Sequence, residues 1–193
     1  MITHLFSSQF YSLITPPNKD ELLEGIKRAK INNKERANIE WNKNCGVEVD
    51  PLYVDEMFPL ISPSLEVFFR ELGIREKRIA LKHIWKNTYK KGTYQEIHEH
   101  LGKGLDINDV SGSIFLQDCN KNSGSFYFFN RHTPEITGSW REILDEYKWP
   151  TSTSPVRYKA GDIIFFPSYL LHGVTPVRGG ERRITVSFNM GFG

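Results

Sequence analysis

Apolar and polar positions change period part-way along this chain. Over roughly the first third, apolar residues recur at helical spacing; beyond Ile79 they fall into short alternating runs with turn residues between them. Asn18 followed by Glu21 predicts a helix start, with Leu22, Leu23, Ile26 and Ala29 recurring on one face. Ser62-Pro63 offers a cap and a first-turn proline for a second helix through Leu65, Phe68, Phe69 and Leu72, stopped by Gly73. Residues 38–51 read as irregular or extended. Strands are predicted near 79–90, 94–100, 110–117, 124–130, 155–158, 162–167, 171–177 and 182–190. One segment breaks this series. Ser139-Trp140-Arg141-Glu142 is a capping box, and Trp140, Ile143, Leu144 and Tyr147 follow at helical spacing. It predicts a short amphipathic helix in a loop near 131–154, either a lid over an active site or a helix packed on the sheet. Helices first and antiparallel strands afterwards define an α+β domain with N-terminal helices covering one sheet of a sandwich or barrel.

Composition narrows the classes of function. At 193 residues, 39% hydrophobic and 25% charged, the chain is long enough for one well-formed core. A single domain is therefore expected over 1–193, residues 1–78 being mainly helical support and 79–193 the β core. The formal net charge of +2 carries no clear nucleic-acid signature and no signature of an acidic membrane. Cys45 and Cys119 lie far apart and form no CxxC pair, which argues against a disulfide framework or a Cys-rich zinc site. The N-terminus lacks a secretory pattern and no apolar run is long enough to span a bilayer, so a cytoplasmic protein is expected.

The candidate chemistry lies in histidines. His98 and His100 are two apart on a predicted strand, so they project to one side and can converge on one ion, while Glu99 points away. His172 follows the apolar run Ile163-Ile164-Phe165-Phe166-Pro167 and is a lone imidazole among apolar neighbours. Alone it reads as a buried, hydrogen-bonded histidine; in a closed barrel it becomes a third ligand to the same ion. In Arg183-Ile184-Thr185-Val186-Ser187-Phe188-Asn189, alternation places Arg183, Thr185, Ser187 and Asn189 on one polar face. An inward Arg needs an anion, either an internal Asp or Glu or a bound carboxylate, which its planar fork can hold bidentately.

These elements together resemble the 2-oxoglutarate/Fe(II)-dependent oxygenase superfamily, in particular its small prolyl-hydroxylase-like members of phage and marine bacteria. The resemblance is carried by Trp85-Lys86-Asn87 before the His-x-His, Ser111-Gly112 with Phe115, Ser123-Gly124-Ser125-Phe126, and Gly161-Asp162 with Phe166-Pro167-Ser168 and His172-Gly173-Val174. Arg183-Ile184-Thr185 stands where that superfamily holds the far carboxylate of 2-oxoglutarate. The resemblance implies a double-stranded β-helix (jelly-roll) barrel, Fe(II) held by His98, His100 and His172, and 2-oxoglutarate held by Arg183 with Thr185, Asn87, Phe115 and Asn189 around it. It also implies dioxygen as co-substrate and hydroxylation of a C–H bond, with a prolyl or other protein side chain as the leading substrate.

The sequence departs from that superfamily at one position. A carboxylate normally stands two residues after the first histidine, and here the residue is His100. Glu96 shares the inward parity of His98, and Asp106 or Asp109 could reach from the following loop; His100 is preferred to all three as the third ligand. His83 shares the Trp85 and Asn87 face and so can line the cavity, packing being the preferred role; His132 is expected to be exposed, and His4 lacks supporting context. Two other readings compete: a non-catalytic metal- or ligand-binding β-helix module, and a three-histidine cupin-like dioxygenase that does not use 2-oxoglutarate.

Overall fold

The computed structural model describes residues 2–6, 9–36, 45–74, 78–103, 106–130 and 153–193. Its strands are β1 (Ile2–Phe6), β2 (Gln9–Ile14), β3 (Glu48–Pro51), β4 (Ile79–Tyr89), β5 (Gln95–His98), β6 (Gly102–Lys103), β7 (Asp106–Ile107), β8 (Val110–Phe115), β9 (Phe126–Phe129), β10 (Thr153–Pro155), β11 (Ile163–Pro167), β12 (His172–Val174) and β13 (Arg183–Phe192). Its helices are α1 (Lys19–Arg28), α2 (Asn33–Arg36) and α3 (Val54–Leu72). Seven strands form one antiparallel sheet in the order β1-β2-β11-β8-β13-β4-β3, and four form a second in the order β10-β9-β12-β5. This is the double-stranded β-helix architecture.

Strand alternation divides the apolar residues into two cores. Ile163, Phe165, Val186 and Phe188 face one way and join Leu22 and Ile26 of α1 and Met57, Ile61, Leu65, Phe68 and Phe69 of α3. Ile164, Phe166, Phe115 and Tyr89 face the other way and meet Phe126, Phe128 and Val174 of the four-stranded sheet. The second core is the inner space of the β-helix. Arg183, Thr185, Ser187 and Asn189 alternate with Val186 and Phe188 along β13, so they turn toward that inner side.

Most strand predictions agree with these elements to within a few residues, and Gly73 ends α3 in the left-handed conformation at φ 74°. Two differences have physical causes. The first 78 residues hold β1, β2 and β3 as well as helices, and these strands are short and lie toward the two edges of the large sheet. Helix α3 also begins at Val54, well before Ser62, with Pro59 and Pro63 inside it. Pro63 cannot donate to the carbonyl of Pro59, and the Ser62 hydroxyl donates to that oxygen instead at 3.1 Å. The Ser-Pro pair that resembles a helix start is thus a repair inside one. The predicted segment around Trp140 to Tyr147 lies outside the described residues. No helix among the described residues is long and apolar enough to cross a membrane.

The two cores meet across β8, where Gly112 leaves no room for a side chain. A Cβ there would lie 2.2 Å from Phe188 Cζ and 2.6 Å from the Ile164 carbonyl oxygen. Because the second contact is backbone, repacking cannot relieve it. Gly112→Ala is expected to destabilise the fold by about 2 kcal/mol or more, measured by denaturant unfolding; unchanged stability would show that β8 and β11 can separate at no cost.

Candidate metal centre and anion pocket

The pairing of β12 with β5 sets His172 directly opposite His98. His100 follows the end of β5, and its backbone N–H donates to the Ser168 carbonyl at 2.9 Å. The three imidazoles close on one point. Ring centres lie 4.4 Å apart for His98 and His172, 4.8 Å for His100 and His172, and 4.9 Å for His98 and His100. One ligating nitrogen from each falls within 4.8 Å of the other two.

The hydrogen bonds show which nitrogens face inward. His98 Nδ1 lies 2.7 Å from the Glu96 carbonyl, His172 Nδ1 lies 2.9 Å from the Leu170 carbonyl, and His100 Nδ1 lies 2.9 Å from Asn189 Oδ1. Each of these oxygens is an acceptor, so each Nδ1 carries the proton and each Nε2 keeps its lone pair. His98 Nε2 and His100 Nε2 nevertheless stand 3.0 Å apart. Two lone pairs at that distance repel unless a cation lies between them, and two nitrogens bound at right angles to one ion at 2.1 Å would be about 3.0 Å apart. The residues therefore fit a metal ion. Burial, followed by the charge of neighbouring imidazoles, pushes His100 down to about 3 and His172 well below its ordinary value, and burial also lowers His98. Neutral imidazoles are the form that binds metal.

None of the alternative carboxylates joins this set among the described residues. Glu96 is exposed and accepts from Gln95 Nε2 at 3.2 Å, while Asp109 turns away to accept from the Phe192 N–H at 2.7 Å. The side chain of Asp106 lies outside the described residues, as do His4's side chain and all of His132. His83 lines the same cavity as the three histidines, the alternative to packing that its place on the Trp85 and Asn87 face left open.

That cavity has a volume of about 750 Å³ and reaches Arg183. Arg183 is 1% exposed, and among the described residues the one side-chain hydrogen bond of its guanidinium runs from Nη2 to the Tyr158 hydroxyl at 3.3 Å. Nε and Nη1 are buried without a hydrogen-bond partner among the described residues. Among the described residues no carboxylate pairs with it. Aromatic rings surround the guanidinium, with Tyr89 at 5.0 Å, Phe115 at 5.8 Å and Tyr158 at 5.9 Å from its central carbon. Such a site strengthens attraction for an anion by keeping water out.

The other predicted residues separate into different positions. Thr185 and Asn87 line the cavity beside Arg183, and Asn87 Nδ2 donates to Thr185 Oγ1 at 3.3 Å and Ser187 Oγ at 3.0 Å. Phe115 stacks on Tyr158 with ring centres 3.6 Å apart, so it supports the guanidinium from beneath. Asn189 is bonded to His100. Tyr89 was not singled out from the sequence, although it shares the parity of Trp85 and Asn87 on β4; Tyr158 falls in the strand predicted near 155–158, but β10 ends at Pro155 and leaves it in the connection to β11.

A β-helix whose one cavity joins three convergent imidazoles to a buried arginine has the residues for a metal ion and an anionic co-substrate. Residues 83–189 match the family described as "Putative 2OG-Fe(II) oxygenase". The chain belongs to the 2-oxoglutarate/Fe(II)-dependent oxygenase family, and it is an oxidoreductase that uses Fe(II) and 2-oxoglutarate. No curated protein matches the sequence. Among solved structures it resembles HygX from Streptomyces hygroscopicus with nickel and 2-oxoglutarate bound, at 14% identity and a TM-score of 0.57 over 94% of this chain and 82% of that one. It also resembles the viral collagen prolyl hydroxylase of Paramecium Bursaria Chlorella virus-1 in its 2OG complex, at 15% identity and a TM-score of 0.59 over 96% and 98%. A prolyl-4-hydroxylase from Pseudomonas putida matches at 12% identity and a TM-score of 0.58 over 95% and 93%. At these identities the likenesses speak for the fold.

Proposed function

We propose that this protein is a hydroxylase that binds Fe(II) through His98, His100 and His172 and the far carboxylate of 2-oxoglutarate through Arg183. The observation that carries this reading is a single cavity joining three inward Nε2 atoms to a buried guanidinium with two unpartnered nitrogens. When bound, Fe(II) with 2-oxoglutarate and dioxygen supplies the oxidising chemistry, splitting the co-substrate to succinate and carbon dioxide and placing one oxygen atom on a substrate C–H bond. The chain's own part is positioning. Arg183 offers Nε and Nη1 to a carboxylate, Thr185 stands beside it on the same strand face, and Tyr89, Phe115 and Tyr158 exclude water from the pair. The three imidazoles would hold the metal, and the cavity they line leaves room for the co-substrate beside them.

A prolyl or other protein side chain is the substrate we favour, supported by the fold shared with two prolyl hydroxylases. Metal, co-substrate, dioxygen and a single domain over 1–193 complete the proposal. Anaerobic protein loaded with Fe(II) is expected to develop a weak visible charge-transfer band on addition of 2-oxoglutarate, and the band's absence in metal-replete protein would overturn the assignment. Succinate release screened against proline-containing peptides, free amino acids and nucleosides tests the substrate class.

A further inference from the structure

The three imidazoles are not held in the same way. His98 and His172 each give their Nδ1 proton to a backbone carbonyl two residues earlier in the chain, Glu96 and Leu170. Any sequence that forms these strands supplies that acceptor. His100 lies beyond the end of β5, and its acceptor is the side chain of Asn189, on β13 of the other sheet.

This difference bears on the position where the family normally has a carboxylate. A carboxylate offers an oxygen whichever way it is protonated or turned, whereas an imidazole ligates only when its proton sits on the far nitrogen. Putting a histidine there therefore creates a need for a dedicated acceptor. We infer that Asn189 is the positioning residue that makes His100 a metal ligand, by fixing its Nδ1–H tautomer and its ring orientation. The inference rests on the ligand set proposed above.

Asn189 is itself held firmly. Its Oδ1 also accepts from Ser111 Oγ at 2.9 Å, and Ser111 Oγ lies 2.8 Å from Ser168 Oγ. Ser111 and Ser168 are almost fully buried. The Ser168 carbonyl takes the His100 backbone N–H, and the His100 carbonyl accepts from Asn108 Nδ2 at 2.7 Å. Asn189 Oδ1 thus sits between His100 Nδ1 and the Ser111 hydroxyl, in a buried chain of contacts that continues to Ser168. A residue beyond the end of β5 is fixed by β13 and by the segments next to β11 and β8, all of the seven-stranded sheet.

The test combines tautomer spectroscopy with metal affinity. Nitrogen chemical shifts of the histidine rings in metal-free wild type are expected to show His100 protonated at Nδ1; protonation at Nε2 would overturn the inference without any variant. Asn189→Ala is expected to bind Co(II) on the order of 10 to 100 times more weakly, with His98 and His172 unchanged in their tautomers. Asn189→Asp keeps an acceptor of nearly the same shape and should restore most of the affinity, while Asn189→Leu should not. If Asn189→Ala binds Co(II) as tightly as wild type, or if Asn189→Leu does, the role is refuted. If all three variants lose affinity and also the tautomers of His98 and His172, the effect is general unfolding and Asn189 has no specific part. A visible band with 2-oxoglutarate in wild type that uses ligands other than His100 would instead refute the ligand set, which separates the two failures.

Discussion

His172→Ala is expected to abolish metal binding, lowering affinity for Fe(II) or Co(II) by on the order of 100-fold or more. His172 is the histidine that belongs wholly to the interior: it is 4% exposed, and its ring packs against Phe166 at 4.8 Å and Phe126 at 5.4 Å. Removing it deletes both a donor atom and part of the aromatic wall. His172→Phe separates these contributions, since it keeps a ring in the wall and removes the nitrogen. Both variants should lose metal, and only the alanine variant should also lose thermal stability in the metal-free state. His83→Ala is the control, because His83 lines the cavity without joining the three-imidazole cluster. Titration by calorimetry decides the matter, and a His172→Phe variant that still bound metal tightly would show that two imidazoles suffice.

How much of this was legible in the sequence depends on whether a residue's role follows from strand parity. The inward face of β13 could be read directly, because Arg183, Thr185, Ser187 and Asn189 alternate with apolar residues. The His-x-His spacing was equally visible, although His100 owes its place less to strand geometry than to bonds with Ser168, Asn189 and Asn108. That His172 lies opposite His98 is a matter of register between strands more than seventy residues apart, which pattern alone does not fix. The wall around Arg183 divides likewise. Tyr89 continues the parity of Asn87, whereas Tyr158, read at the end of a strand near 155–158, lies in the connection after β10, where strand parity does not set its direction. The helical reading of the N-terminal part failed where side-chain chemistry outweighed propensity: two prolines inside α3 look like a boundary, and only the Ser62 bond to the Pro59 carbonyl explains how the helix continues through them.

Arg183 yields the second large effect, and it acts in two opposite directions. Its guanidinium is buried at 1% exposure, with one long hydrogen bond to Tyr158 and two nitrogens without a partner among the described residues. An uncompensated buried charge of this kind destabilises a fold, and replacing it with an apolar side chain of similar volume is commonly neutral or stabilising by about 1–4 kcal/mol. Arg183→Met is therefore expected to raise the melting temperature of the protein measured without 2-oxoglutarate. The same substitution removes the carboxylate anchor, so 2-oxoglutarate affinity should fall by an amount corresponding to about 2–5 kcal/mol, roughly 30-fold or more. Metal affinity should stay near that of wild type, because no ligating imidazole touches Arg183. Arg183→Lys should bind 2-oxoglutarate with intermediate affinity, since an ammonium keeps the charge and loses the planar fork. Added 2-oxoglutarate should then stabilise wild type strongly and Arg183→Met hardly at all, bringing their melting temperatures together or reversing them. A variant that lost stability and kept its 2-oxoglutarate affinity would mean that Arg183 is a packing residue and that the carboxylate anchor lies elsewhere. Stability and co-substrate binding moving in opposite directions is the signature of a charge kept in the core for the anion it receives.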